Sequence, residues 1–105
     1  MKTRRVGTSG LSVSRLGLGT MTWGADTPIA DARAMLRAFV EAGGNLVDTA
    51  PAYGQGVAEK IIGKIIHTDL RREDVVIATK GGFGVHGGQR SVDTSRGAML
   101  DDLAA

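Results

Sequence analysis

GGNLVDTAPAYGQGVAEKIIG, residues 43–63, puts a strand, a turn and the start of a helix into one short span. Asn45 to Ala50 (NLVDTA) is rich in β-formers and follows a glycine pair. Its apolar residues run on without alternating, the pattern of a parallel strand covered on both faces. Further on, Ala58, Ile61, Ile62, Ile65 and Ile66 keep the i, i+3, i+4, i+7, i+8 spacing of an amphipathic helix.

Both flanks repeat this unit. Leu16 to Thr20 (LGLGT) and Val75 to Lys80 (VVIATK) read as strands of the same kind. Between the first two strands, Ala32, Met35, Leu36, Phe39 and Val40 predict a second amphipathic helix, with Thr27-Pro28 as cap and first helical residue and Gly43 as its stop. A further helix is expected after Ser95, a candidate N-cap, running through Met99 and Leu100. The strands begin at 16, 45 and 75, a period of 29 to 30 residues. Strand, helix and parallel strand at that interval mean right-handed crossovers. Eight such units make roughly 250 residues, the size of a (β/α)8 barrel. The expected fold is therefore α/β: an N-terminal β-hairpin plus the first three βα units of a (β/α)8 TIM barrel, incomplete. The hairpin is placed at Arg4-Arg5-Val6 and Leu11-Ser12-Val13-Ser14 around Gly7-Thr8-Ser9-Gly10. Gly81 to Gly88 reads as a flexible βα loop within reach of a substrate.

Composition narrows the function. Of 105 residues, 42% are apolar and 23% charged, ordinary globular usage that argues against a disordered or fibrous chain. A net charge of +2 from scattered basic residues is no nucleic-acid footprint. Zero cysteines exclude disulfides and thiolate metal sites and fit a reducing cytoplasm. No apolar run follows Met1 to Arg5 as in a secretory signal, and none is long enough to span a bilayer. No metal, nucleic acid or membrane partner is expected, and the sequence leaves the oligomeric state open.

In a parallel sheet, Asp48 and Lys80 both sit at C-terminal strand ends, with Tyr53 in the loop after Asp48. Such ends and loops form the catalytic face of a barrel. A phenol with a pKa of about 10 is a poor acid at neutral pH unless a cation stabilises its phenolate. A desolvated lysine does that, and a carboxylate beside the lysine keeps it charged and fixed. The three types suit protonation of a carbonyl oxygen during reduction. Singly, each has a plainer reading: a helix-entry turn for Asp48, a packing role for Tyr53 and a solvated strand end for Lys80.

These residues carry a resemblance to the aldo-keto reductases. LSVSRLGLGTMTWG (11–24), GGNLVDTAPAYGQGVAEKIIG (43–63) and REDVVIATKGG (72–82) resemble the family's hairpin and first strand, its Asp-Thr-Ala…Tyr-Gly signature, and its third strand ending in the active-site lysine. The resemblance implies that residues 1–105 are the N-terminal part of an NADP-dependent oxidoreductase barrel. It further implies Tyr53 as proton donor, Lys80 lowering its pKa, and Asp48 paired with Lys80. Gly19, Thr20, Met21 and Asp48 would lie near the nicotinamide of NADPH, and Trp23 would stand at the mouth of the substrate pocket, with packing as its alternative. The implied reaction is hydride transfer to a small aldehyde or ketone, without metal. The family's fourth catalytic residue, a histidine about thirty residues beyond the lysine, and its adenosine-phosphate loops would fall past position 105. His67 and His86 match no family position and read as surface histidines.

Three other readings stand beside this one. Gly82, Gly84 and Gly87 match GxGxxG after a strand, which in a Rossmann-type domain would bind a dinucleotide. Gly88-Gln89-Arg90-Ser91 follows, however, where that motif needs a helix to open. A truncated or pseudo-enzyme chain with no activity of its own is the second. A non-catalytic interaction module is the third.

Overall fold

The computed structural model describes residues 1–86 and 88–105, with the side chains of Val85 and His86 outside that set. The surface reading of His86 and the last glycine of GxGxxG, Gly87, fall outside the described residues. Strand β1 (Thr3–Arg5) pairs antiparallel with β2 (Ser12–Ser14). Val6 donates to Leu11 O at 2.8 Å to close the hairpin, and Gly7 takes φ 55, a left-handed conformation that suits glycine.

Strands β3 (Gly17–Gly19), β4 (Leu46–Asp48) and β5 (Val76–Ala78) form a parallel sheet in that order. This is the expected arrangement. Gly17, Leu46 and Val76 stand level, then Leu18, Val47 and Ile77, then Gly19, Asp48 and Ala78. Helix α1 (Ile29–Glu41) links β3 to β4, and α2 (Val57–Thr68) links β4 to β5. Every residue assigned to the inner face of α2 is buried: Ala58, Ile61, Ile62, Ile65 and Ile66. They join Ala32, Leu36, Val47 and Val75 in one core, against which Leu18 and Ile77 pack. The middle row of the sheet therefore faces the helices. Side chains alternate along a strand, so Leu46, Asp48, Val76 and Ala78 face the opposite side. The expected cover on both faces is met on the helix side alone, and Leu46, Val76 and Ala78 are half-buried.

Helix α1 departs from expectation at its start and on its inner face. Pro28, not Thr27, occupies the N-cap and offers no side-chain acceptor. Thr27 is drawn into a bridge with Trp23, and its hydroxyl lies 2.9 Å from that of Thr22. Met35 is 40% exposed, so the buried stripe is narrower than the periodicity implied. The end is a Schellman motif: Gly43, at φ 89, donates to Val40 O, and Gly44 donates to Phe39 O, both at 2.9 Å.

The segment read as a flexible loop is a second hairpin, β6 (Phe83–His86) with β7 (Gln89–Val92), followed by α3 (Arg96–Ala104). In sequence, a Gly-Gly pair between two short runs is a hairpin signal. Because a strand and not a helix opens in this glycine stretch, the Rossmann-type reading fails. Gly82 sets the base: a Cβ there would meet Thr94 Cγ2 at 2.7 Å, and its amide donates to Asp102 Oδ2 at 2.6 Å. Ser95 caps α3, accepting from the Ala98 amide at 3.3 Å.

Asn45 ties the first hairpin to the N-terminal edge of β4, away from the strand ends of interest. Its Oδ1 accepts from the Ser14 amide at 2.7 Å, and its Nδ2 donates to Ser12 O at 3.1 Å. Asn45→Ala is expected to cost about 1–3 kcal/mol, since the part-buried Ser14 amide loses its acceptor. Denaturant unfolding measures the loss, and faster amide exchange confined to Ser12–Ser14 locates it.

Candidate active site

Asp48 ends β4 level with Ala78, and Lys80 lies two residues beyond Ala78 on the same face. Their charges meet: Lys80 Nζ lies 2.9 and 3.1 Å from the two carboxylate oxygens of Asp48. The amine also donates to Thr49 O at 2.9 Å and to Tyr53 Oη at 3.1 Å, and it sits 4.8 Å from the centre of the tyrosine ring. An ammonium has three N–H donors, and here carboxylate, carbonyl and phenol take them. The phenol accepts from Lys80, which leaves its own proton to donate elsewhere.

Tyr53 is placed by an unusual turn. It opens a 3-10 segment, Tyr53–Gly56, in which Gly54, Gln55 and Gly56 take φ values of 57, 54 and 90. A Cβ at Gly54 would come within 2.9 Å of Trp23 O, so glycine allows the turn to press against that backbone.

Lys80 has its pKa raised, first by the hydrogen bond to Asp48 and then by that to Tyr53. The sequence expectation of a desolvated lysine is not met, because Lys80 and Asp48 side chains are 49% and 48% exposed. Charge pairing, not burial, keeps this lysine protonated. A raised folded-state pKa gives stability that is full below the ordinary lysine value and lost as pH rises through the folded value. Asp48→Asn should therefore move the Lys80 titration down in pH, toward ordinary lysine. NMR titration of the lysine ε-carbons reads this, and an unmoved Lys80 would show that Asp48 is not its main partner.

The remaining candidates separate. Thr20 is fully buried, and its amide and hydroxyl donate to Asp48 O at 3.1 and 3.0 Å. Its side chain thus braces Asp48 from within. Gly19 and Met21 lie open: nothing stands within 4 Å of a Cβ built on Gly19, and Met21 is 67% exposed. A flat ring could rest there beside the Asp48 carboxylate. Trp23 is 1% exposed and belongs to the core, the packing position and not an open pocket mouth. His67 is exposed at the end of α2. Among the described residues no group of three or more His, Asp and Glu is placed to hold a metal, and no helix is long and apolar enough to cross a membrane.

Two features escaped the sequence reading. The Thr49 carbonyl as a lysine ligand carries no residue signature. A cleft of about 970 Å³ lies beside the Tyr53 turn, lined by Pro51, Ala52 and Gln55 on one wall and Phe83, Arg90 and Asp93 on the other. Its second wall exists because β6 pairs with β7.

Comparison with known proteins bears on this geometry. Residues 15–104 match the sequence model described as the Aldo/keto reductase family. The chain is 32% identical over 108 residues to the aldo-keto reductase YhdN of Bacillus subtilis, covering 98% of this chain and 32% of that protein. It is 41% identical over 90 residues to a rice (Oryza sativa subsp. japonica) protein named "Probable voltage-gated potassium channel subunit beta", covering 83% of this chain and 27% of the other. Among solved structures, the holo form of aldo-keto reductase AKR11C1 from Bacillus halodurans superposes with a TM-score of 0.84 at 37% identity, over 99% of this chain and 34% of that one. The chain thus spans about a quarter to a third of the length of these relatives.

Proposed function

The chain belongs to the aldo/keto reductase family, and from that premise we propose that Asp48, Tyr53 and Lys80 form the proton-donating part of a site that reduces a small aldehyde or ketone with NADPH. The observation that carries this is the Lys80 ammonium 3.1 Å from the Tyr53 oxygen and held on Asp48. In that arrangement the phenol spends its lone pair on lysine and keeps its proton for a substrate oxygen.

The open surface at Gly19 and Met21, bordered by the Asp48 carboxylate, fits the nicotinamide end of the cofactor. When bound, the cofactor supplies the hydride that the carbonyl carbon receives. Tyr53 gives its proton to the carbonyl oxygen as negative charge grows there, forming the O–H bond and leaving a phenolate. Lys80 stabilises that phenolate, Asp48 keeps Lys80 charged and in place, and solvent returns the proton to Tyr53. The cleft of about 970 Å³ between the Tyr53 turn and the β6–β7 hairpin offers room for the substrate. A reducing cytoplasm suits a chain without cysteine.

The rice relative's name supports a second reading, a subunit in a membrane-channel assembly. NADPH-consumption assays of the protein at the full length of its relatives, against a panel of aldehydes and ketones, separate the two. Turnover that disappears in Lys80→Met supports the reductase reading, and no turnover with any carbonyl favours the assembly reading.

A further inference from the structure

Thr79 donates from Oγ1 to Oε1 of Glu59 at 2.6 Å. Thr79 immediately precedes Lys80, and strand alternation turns its side chain to the opposite face, toward α2. Glu59 lies in the first turn of α2, which begins directly after the turn opened by Tyr53. This one bond therefore joins the element that carries the phenol to the strand end that carries the ammonium. Other ties at this edge do different work. The Thr49 amide donates to Ala78 O at 2.8 Å and fixes the end of β4 to β5, while Gly54 rests against Trp23.

The chemistry of the pair favours a strong bond. Glu59 and Thr79 border a cavity of about 470 Å³ that is lined also by Ile62, Ile66 and Ile77 and by His67 and Arg72, with Glu59 half-buried and Thr79 exposed. A hydroxyl bonded to a carboxylate makes a charge-assisted bond, shorter and stronger than one between neutral groups.

We propose that Glu59 is a positioning residue that acts through Thr79 to set the separation between the Lys80 ammonium and the Tyr53 phenol. The proposal rests on the reading above that these two groups act together. Thr79→Val removes the hydroxyl while keeping the branched shape and the Glu59 charge. Thr79→Ser keeps the donor, and Glu59→Gln keeps an acceptor without the charge.

In the protein at the full length of its relatives, Thr79→Val should lower kcat roughly ten- to hundredfold, the scale of a small misplacement of reacting groups, with KM and NADPH affinity unchanged. Thr79→Ser and Glu59→Gln should keep most of the activity. In a Tyr53→Phe background Thr79→Val should cost nothing further, because both changes act on one contact. A second readout does not use turnover. With lysine ε-carbons labelled and Lys80 identified by its loss in Lys80→Met, Thr79→Val should move its titration toward ordinary lysine, and Thr79→Ser should not. The groups facing Lys80 are Asp48 and Tyr53, and neither charge is altered by these variants. An unmoved Lys80 titration in a folded Thr79→Val protein overturns the proposal whatever the kinetics. A normal Thr79→Val response with undiminished turnover in Tyr53→Phe would instead remove the acid role of Tyr53 and leave the strut standing.

Discussion

Tyr53→Phe, made in the protein at the full length of its relatives, is expected to lower carbonyl reduction by about two to four orders of magnitude, the usual contribution of a positioned acid, while NADPH affinity changes little. The substitution keeps the ring that packs against the core and removes only the hydroxyl. That hydroxyl accepts from Lys80 in the ground state, a bond between half-exposed groups that contributes little to folding. Its weight falls on the transition state, when the substrate oxygen takes the proton and the phenolate faces a cation already in place. An interaction made only in the transition state lowers kcat and kcat/KM together and leaves binding alone. Steady-state kinetics with NADPH fluorescence titration tests this. An equal loss of cofactor affinity would make Tyr53 a structural residue.

Which parts of this arrangement the sequence disclosed follows from the range of the forces involved. Asp48 and Lys80 were legible as neighbours because a thirty-residue period gives parallel strands, parallel strands align their ends, and a two-residue alternation sets the face. Tyr53 could be assigned to a loop but not placed, since its position depends on three consecutive left-handed residues, and Gln55 gives no sign of one. Resemblance assigned Thr20 to the cofactor, yet its hydroxyl turns inward to the Asp48 carbonyl, a backbone acceptor that residue identity does not reveal. The β6–β7 hairpin was hidden because glycines dilute the alternation that marks a strand. Met35 misled in the opposite direction: its spacing is right, but only Ala32 and Leu36 of α1 are buried, with Phe39 and Val40 packed at the margin of the core.

The 105-residue chain by itself is expected neither to bind NADPH tightly nor to reduce aldehydes at a measurable rate, and to self-associate when purified. Micromolar affinity requires about 8 kcal/mol net. The surface available for the cofactor is the short edge at Gly19, Met21 and Asp48, and the Asp48 carboxylate is already engaged by Lys80. A dinucleotide gathers its affinity from contacts along its whole length, which this edge does not span. Stability points the same way. In the three-stranded sheet β3 and β5 are both edge strands, each with one side unpaired among the described residues. Leu16 is 65% exposed beside β3, and Leu46 and Val76 are half-buried on the face turned from the helices. Apolar area left in water forgoes about 25 cal/mol per Å². An unpaired edge next to such area recruits further strands, and a second copy of this chain is the nearest source. Light scattering measures the mass in solution and NADPH fluorescence the affinity. A stable monomer with micromolar NADPH affinity would overturn both halves of the expectation, because it would mean that three strands and one edge suffice for what this fold otherwise does with a closed barrel.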